Sequence, residues 1–137
     1  MFDRLSTWAP HILGIFRILA GALFVCNGAM KLLGAFGGMP AGMDIPWYIY
    51  WIAGPIELVG GILLTIGLFT RPVAFLSSGL MAAAYFKGHA FGSGSFEFWP
   101  IRNHGEVALL LCWLWLYIAA AGPGAFAVDN LWRRRKV

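Results

Sequence analysis

Charge is scarce in this chain. Of its 137 residues only 12% are Asp, Glu, Lys or Arg, where a soluble domain carries roughly a quarter. Acids are scarcest, six against ten Lys and Arg, for a formal charge of +4. Cysteine is nearly absent as well. Cys26 and Cys112 lie far apart in apolar stretches with no C-x-x-C pair, which argues against a dithiol motif or an Fe–S ligand set. Each reads as a small packing residue. There is no flavin motif, no haem-ligand pair and no H-x3-H or H-E-x-x-H spacing. A metal site built from His89, His104 and Glu106 is therefore not expected. The length leaves room for one compact unit and no second.

What the chain has instead is apolar length. It is 60% hydrophobic, with a mean hydropathy of +0.73. Four apolar stretches, at about 10–33, 47–69, 72–91 and 103–121, each reach the roughly 20 residues that a bilayer core demands. Residues 34–46, GAFGGMPAGMDIP, read as a flexible loop. Thr70-Arg71-Pro72 allows only a tight turn, and Gly122-Pro123-Gly124 stops the last helix. The first stretch contains Arg17, runs to full span length and lacks a small-x-small site, so it reads as a span rather than a cleaved signal. The expected fold is an all-α membrane protein: one domain over 1–137, an antiparallel four-transmembrane-helix bundle with a basic tail at 122–137.

Basic residues set the expected orientation. With four spans both termini share a side, and that side holds Arg4, Arg71 and the run Arg133, Arg134, Arg135, Lys136; the other holds only Arg102. The positive-inside rule puts both termini in the cytoplasm of a bacterial-type plasma (inner) membrane. The terminal run reads as topological or lipid-touching rather than as a nucleic-acid surface. Trp47, Tyr48, Tyr50, Trp51, Phe96, Phe98 and Trp99 supply an aromatic belt on the opposite face.

The few polar groups inside these spans are functional candidates by default, because a charge in hydrocarbon is costly unless paired or hydrated. They are Arg17, Asn27, Lys31, Glu57, Lys87, His89, Asn103, His104 and Glu106. With the topology above, all but Arg17 fall between the midplane and the outer headgroups. Helical phase aligns Arg17, Gly21, Phe24, Gly28 and Lys31 on one face; Glu57, Gly61, Leu64 and Leu68 on another. Ser78, Ala82, Tyr85 and His89 form a third face, and Asn103, Glu106, Leu110, Trp113 and Tyr117 a fourth. Pro55 should kink the second span near Glu57 by freeing a carbonyl about one turn earlier. Glu57 leads the candidates, ahead of Glu106, Lys31 and Asn27. A structural pair with Lys31 is its plainer reading. Snorkelling is the plainer reading of Lys87, hydrated surface residues that of His89 and His104, and an inner structural pair or inward snorkelling that of Arg17.

Several phrases resemble the DoxX family. They are Arg17-x3-Gly21-x6-Gly28-x2-Lys31-Leu32, the stretch ELVGGILLTIGLFTRP from Glu57 to Pro72, Asn103-His104-Gly105-Glu106-x-Ala108-Leu109-Leu110, and Gly122-Pro123-Gly124 followed by Val128-Asp129. The likeness covers nearly the whole chain, although Ala127-Val128 stands where the family commonly has Ser before the Asp. The resemblance implies a small four-helix integral membrane protein of a family often labelled as oxidoreductases, with links to quinone or thiol stress. It carries Arg17, Lys31, Glu57, His89, Asn103 and Glu106 as family residues.

Three functions compete. The first is a redox-associated membrane component binding a quinone or similar small ligand, with His89, Lys31 and Asn103 as hydrogen-bond donors and Glu57 and Glu106 as proton relays. The second is a transporter or channel subunit acting as a homo-oligomer. The third is a non-catalytic anchor for a soluble oxidoreductase. No intrinsic cofactor is evident, and electrons would come from a soluble or membrane redox partner.

Overall fold

The computed structural model describes residues 5–42, 44–92 and 94–134, with side chains as far as 132. Arg4 and the side chains of the run at 133–136, which carry much of the orientation argument, lie outside the described residues. The described chain is all-helical, without strands.

Helix α1 spans Ala9–Leu33, with Pro10 in its first turn, where a missing N–H costs nothing. It stops at Gly34, whose φ of 66° lets its N–H reach back to the Ala29 carbonyl. A short 3₁₀ turn, Ala35–Gly37, follows. Helix α2 spans Gly54–Ile66 and is preceded without interruption by a π-wound turn, Ile49–Ala53. Pro55 has no N–H to offer the Trp51 carbonyl, and the chain accommodates this by widening. The Gly54 N–H bonds the Ile49 carbonyl instead. The expected disturbance at Pro55 thus takes the form of a π turn. Helix α3 spans Thr70–Ala83 and runs on into a second π-wound segment, Ala84–Ala90. A short α4, Pro100–Asn103, precedes α5, Glu106–Ala121, and α6, Val128–Arg134, closes the described chain.

Among the described residues, two stretches are long and apolar enough to cross a membrane, Ala9–Leu33 and Ile49–Ile66; Glu106–Ala121 is a shorter apolar helix. Ile12, Ile15, Phe16, Leu19 and Leu23 form an outward face of α1 that is more than half exposed. Water would not tolerate so continuous an apolar surface, whereas lipid would cover it.

Packing pairs α1 with α2 and α3 with α5, and α2 against α3 joins the pairs. Glycine makes the first pair close. A Cβ on Gly61 would fall 2.6 Å from the Val25 nitrogen, and one on Gly28 2.6 Å from Leu58 Cα. Backbones touch there, as they do where small residues line helix contacts in lipid. Phe24 of α1 meets Trp115 of α5 edge-on, with ring centroids 5.3 Å apart. Together with Leu64, Ala74, Met81 and Ile118 they form the main core.

The face expected for the fourth span is wrong. Leu110, Trp113 and Tyr117 are each at least 60% exposed, and the buried residues of α5 are Ala108, Trp115 and Ile118. Leu110, Trp113 and Tyr117 do share one face of α5, but it is the outward one; only Asn103 leaves the set, because it ends α4 and His104, left-handed with φ 58°, breaks the helix before Glu106.

Arg17 is fully buried and makes no ion pair among the described residues. All five of its N–H donors are spent on carbonyls. Nε donates to Pro123, Nη1 to Leu64 and Thr65, and Nη2 to Ala125 and Phe126, over 2.5–3.1 Å. It thereby stitches α1 to the last turn of α2 and to the segment returning from α5. Two reciprocal caps lie beside it. The Asp129 carboxylate accepts the Phe69 and Thr70 N–H groups at 2.9 and 2.8 Å, capping α3 from another helix. Arg71 donates to the Ala119 and Ala120 carbonyls at 2.9 and 2.7 Å, closing the end of α5.

Two outcomes follow. Arg17→Lys leaves three donors for five buried carbonyls, so the unfolding free energy in detergent should fall by on the order of 3 kcal/mol, while Arg71→Lys, at an exposed site, should cost below about 1 kcal/mol. Equal losses would contradict the stitch. Gly28→Ala should force α1 from α2 at a cost of roughly 2 kcal/mol; a thermal melt unchanged from wild type would show the contact to be slack.

Candidate functional site

The helix contact at Gly28 sets up the site. Because α1 lies backbone-to-backbone against Leu58, Lys31, one turn further on, arrives beside Glu57 in the first turn of α2. The Lys31 ammonium donates to Glu57 Oε2 in a close ion pair. The Glu57 side chain is only 5% exposed and that of Lys31 14%. Two charges withdrawn this far from water are tolerable only because each answers the other.

The pair lines a cavity of about 490 Å³. Trp47, Tyr48, Ile49, Ile52 and Ala53 form one wall and Leu80, Met81 and Ala84 another, with Lys87, Gly88 and His89 completing it. Glu57 and Ala53 are buried, while Trp47 and Lys87 are exposed, so the cavity runs from a closed polar end to an open rim. Both π-wound segments contribute to its lining. Such widened turns recur at functional positions because they turn side chains and carbonyls out of the regular α pattern.

A second, more polar cavity of about 400 Å³ adjoins the first and shares Gly88 and His89 with it; Glu97, Arg102, Asn103 and His104 are among its other lining residues. His89 Nδ1 lies 3.1 Å from the Asn103 carbonyl oxygen. A carbonyl only accepts, so Nδ1 carries a hydrogen and donates it. The wall is held by the loop: Tyr85 donates to the Phe98 carbonyl, and the Asn103 side chain donates to the Glu97 carbonyl at 2.8 Å and accepts from the Gly105 N–H at 2.8 Å. Glu97 pairs with Arg102 at 3.1 Å.

Of the residues singled out from the sequence, Glu57, Lys31 and His89 meet at the main cavity. Asn103 and His104 line the second one, with the Asn103 amide committed to the turn. Asn27 donates to Leu23 of its own helix at 3.0 Å and lines neither cavity. Glu106, in the first turn of α5, lines neither of them. Arg17 belongs to the opposite end of α1. Lys87, expected to snorkel, is exposed, lies over the Tyr48 ring at 4.3 Å and also lines the cavity. Trp47 and Tyr48, expected as belt, also line it. Cys26 is exposed and Cys112 half-buried, and both are free.

The DoxX family model matches residues 12–90, more than half of the chain. An uncharacterized protein of Haemophilus influenzae is 43% identical over 132 residues, covering 93% of this chain and 96% of that protein. The inner membrane protein YqjF of Escherichia coli is 27% identical over 87% of this chain and 90% of its own. A Bacillus subtilis protein named "Putative oxidoreductase CatD" is 27% identical over 69% of this chain and 75% of its own. No solved structure matches the chain. The family match spans Arg17, the Gly28 contact and both members of the Lys31–Glu57 pair, and the chain belongs to the DoxX family of membrane proteins.

Proposed function

We propose that this chain is a multi-pass inner-membrane protein, folded as an antiparallel four-span bundle with both termini cytoplasmic, that binds a quinone or similar small ring compound in the Lys31–Glu57 cavity as a component of a membrane redox system. The observation that carries the reading is the cavity itself. It is apolar along its walls, aromatic at its rim and charged at its closed end, the arrangement a ring with polar carbonyls on an apolar frame requires. The named relatives support the two halves of the reading, one as an inner membrane protein and one as an oxidoreductase. The excess of Lys and Arg on one side of the expected spans supports the orientation.

Reducing a quinone takes two electrons and two protons. The Lys31 ammonium can hydrogen-bond a ring carbonyl while Glu57 balances its charge. Glu57 and the His89 imidazole, both lining this cavity, serve as the proton carriers. His89 also borders the polar second cavity, which offers a route onward to water. The electrons come from a partner, since the chain carries no C-x-x-C pair or Fe–S ligand set.

Native mass spectrometry with lipid extraction, on protein purified gently from its own membrane, tests this directly. Wild type should carry a quinone-sized ligand that Glu57→Gln loses. The single variant strands a charged Lys31 and should cost about 3 kcal/mol, so the double variant Lys31→Met with Glu57→Leu, which removes both charges, should recover stability but not ligand. Ligand retained in the double variant, or partner-dependent quinone turnover unchanged in Glu57→Gln, would sink the reading.

A further inference from the structure

The main cavity holds more positive than negative charge. Two ammonium groups line it, Lys31 and Lys87, against one carboxylate, Glu57. Lys31 and Glu57 cancel, being joined in one ion pair. Among the described residues the remaining pair joins Glu97 to Arg102, so Lys87 has no carboxylate partner. Its contact is the face of Tyr48, at 4.3 Å.

We infer that the cavity selects a ligand carrying a single negative charge on an oxygen attached to a flat aromatic frame, and that Lys87 at the rim is the residue that reads this charge. The inference rests on taking this cavity as the ligand site and adds the ligand's charge and the residue that recognises it. Three observations converge. The net charge of the lining is one positive unit, while its walls are apolar and aromatic, so a fully hydrated inorganic anion is excluded and an amphipathic one is suited. Lys87 is poised rather than committed. A cation over a half-buried ring at a rim is only moderately held, and a flexible four-carbon stem lets the ammonium swing to a better partner. Tyr48, which Lys87 would uncover in doing so, then presents a free aromatic face to the ligand's ring.

The two π-wound segments place these groups opposite one another. Tyr48 leads into the turn Ile49–Ala53 and Lys87 lies within Ala84–Ala90. The deep pair and the rim lysine divide the labour. Lys31–Glu57 meets the uncharged polar end of the ligand, and Lys87 meets its anionic oxygen where water can still screen part of the contact.

The test is calorimetric titration of protein in phosphatidylcholine nanodiscs, corrected against empty discs, with three probes: 2-naphthoate, an anion; 2-naphthamide, its neutral counterpart; and 2-methyl-1,4-naphthoquinone, a neutral quinone. Wild type should bind naphthoate about fivefold more tightly than naphthamide. Lys87→Gln should abolish the preference, Lys87→Arg should keep it, and Lys87→Glu should reverse it. Circular dichroism confirms that each variant is folded. Equal affinities in wild type, or a preference that survives Lys87→Gln, overturn the inference. Naphthoate bound through Lys87 with no quinone bound supports it and strikes the quinone reading instead. Quinone bound without any anion preference does the reverse, and binding of none of the probes overturns both.

Discussion

The saturated guanidinium of Arg17 is the constraint on which the rest of the structure depends. A buried cation with no carboxylate is prohibitive in an apolar protein unless every N–H finds an acceptor. Arg17 meets that condition with five carbonyls drawn from two separate parts of the chain, the end of α2 and the segment 123–126. Moving either segment would strip the guanidinium of acceptors, so the bond set helps fix where the chain returns after α5. Gly67 at the α2 stop and Gly124 in the return segment take left-handed conformations beside it, and a Cβ on either would strike backbone.

Fixing Arg17 also fixes the rotation of α1. Lys31 lies fourteen residues on, about 21 Å along the same face, and the intervening Gly21, Phe24 and Gly28 are all buried on that face. A helix this closely packed cannot turn at one end without turning at the other. The Arg17 stitch therefore holds Lys31 towards Glu57 from a distance, and the glycine contacts at Gly28 and Gly61 set the separation. The core ring pair Phe24–Trp115 sits midway and ties this register to α5.

Much of this was legible in the sequence, and what was not has physical causes. The faces of α1 and α2 could be read because each helix runs unbroken through its polar markers, so Arg17 and Lys31, or Glu57 and Leu64, share a face by periodicity alone. The face of α5 marks the limit of that reading: periodicity groups Leu110, Trp113 and Tyr117 correctly but does not say whether the group meets protein or lipid, and its marker Asn103 is cut off by left-handed His104 and Gly105. The partners of Arg17 were hidden for a different reason: backbone carbonyls of a loop leave no mark on residue type, so a lone buried Arg suggests a missing acid. Asn103 illustrates the same limit. Its amide looked free to serve a ligand, and it is occupied by Glu97 and Gly105 of its own loop. The contact of Lys87 with the Tyr48 ring was not visible either, because its partner is an aromatic face some forty residues away.

The two ends of α1 thus hold their charges in opposite ways, and the difference decides where chemistry can reside. Arg17 has no donor left over, so a ligand could engage it only by stripping a carbonyl of its partner, at the full cost of an unsatisfied buried group. The Lys31 ammonium has three N–H donors, of which one goes to Glu57, and the Glu57 carboxylate keeps further acceptor sites. Both open onto a cavity rather than onto packed backbone. A ligand can join this pair without breaking it, adding hydrogen bonds to charges whose desolvation has already been met by folding. A polar group that is fully satisfied builds the fold, and one that is stable yet incompletely satisfied beside a space is what a binding site requires. In this chain both kinds stand on one face of one helix.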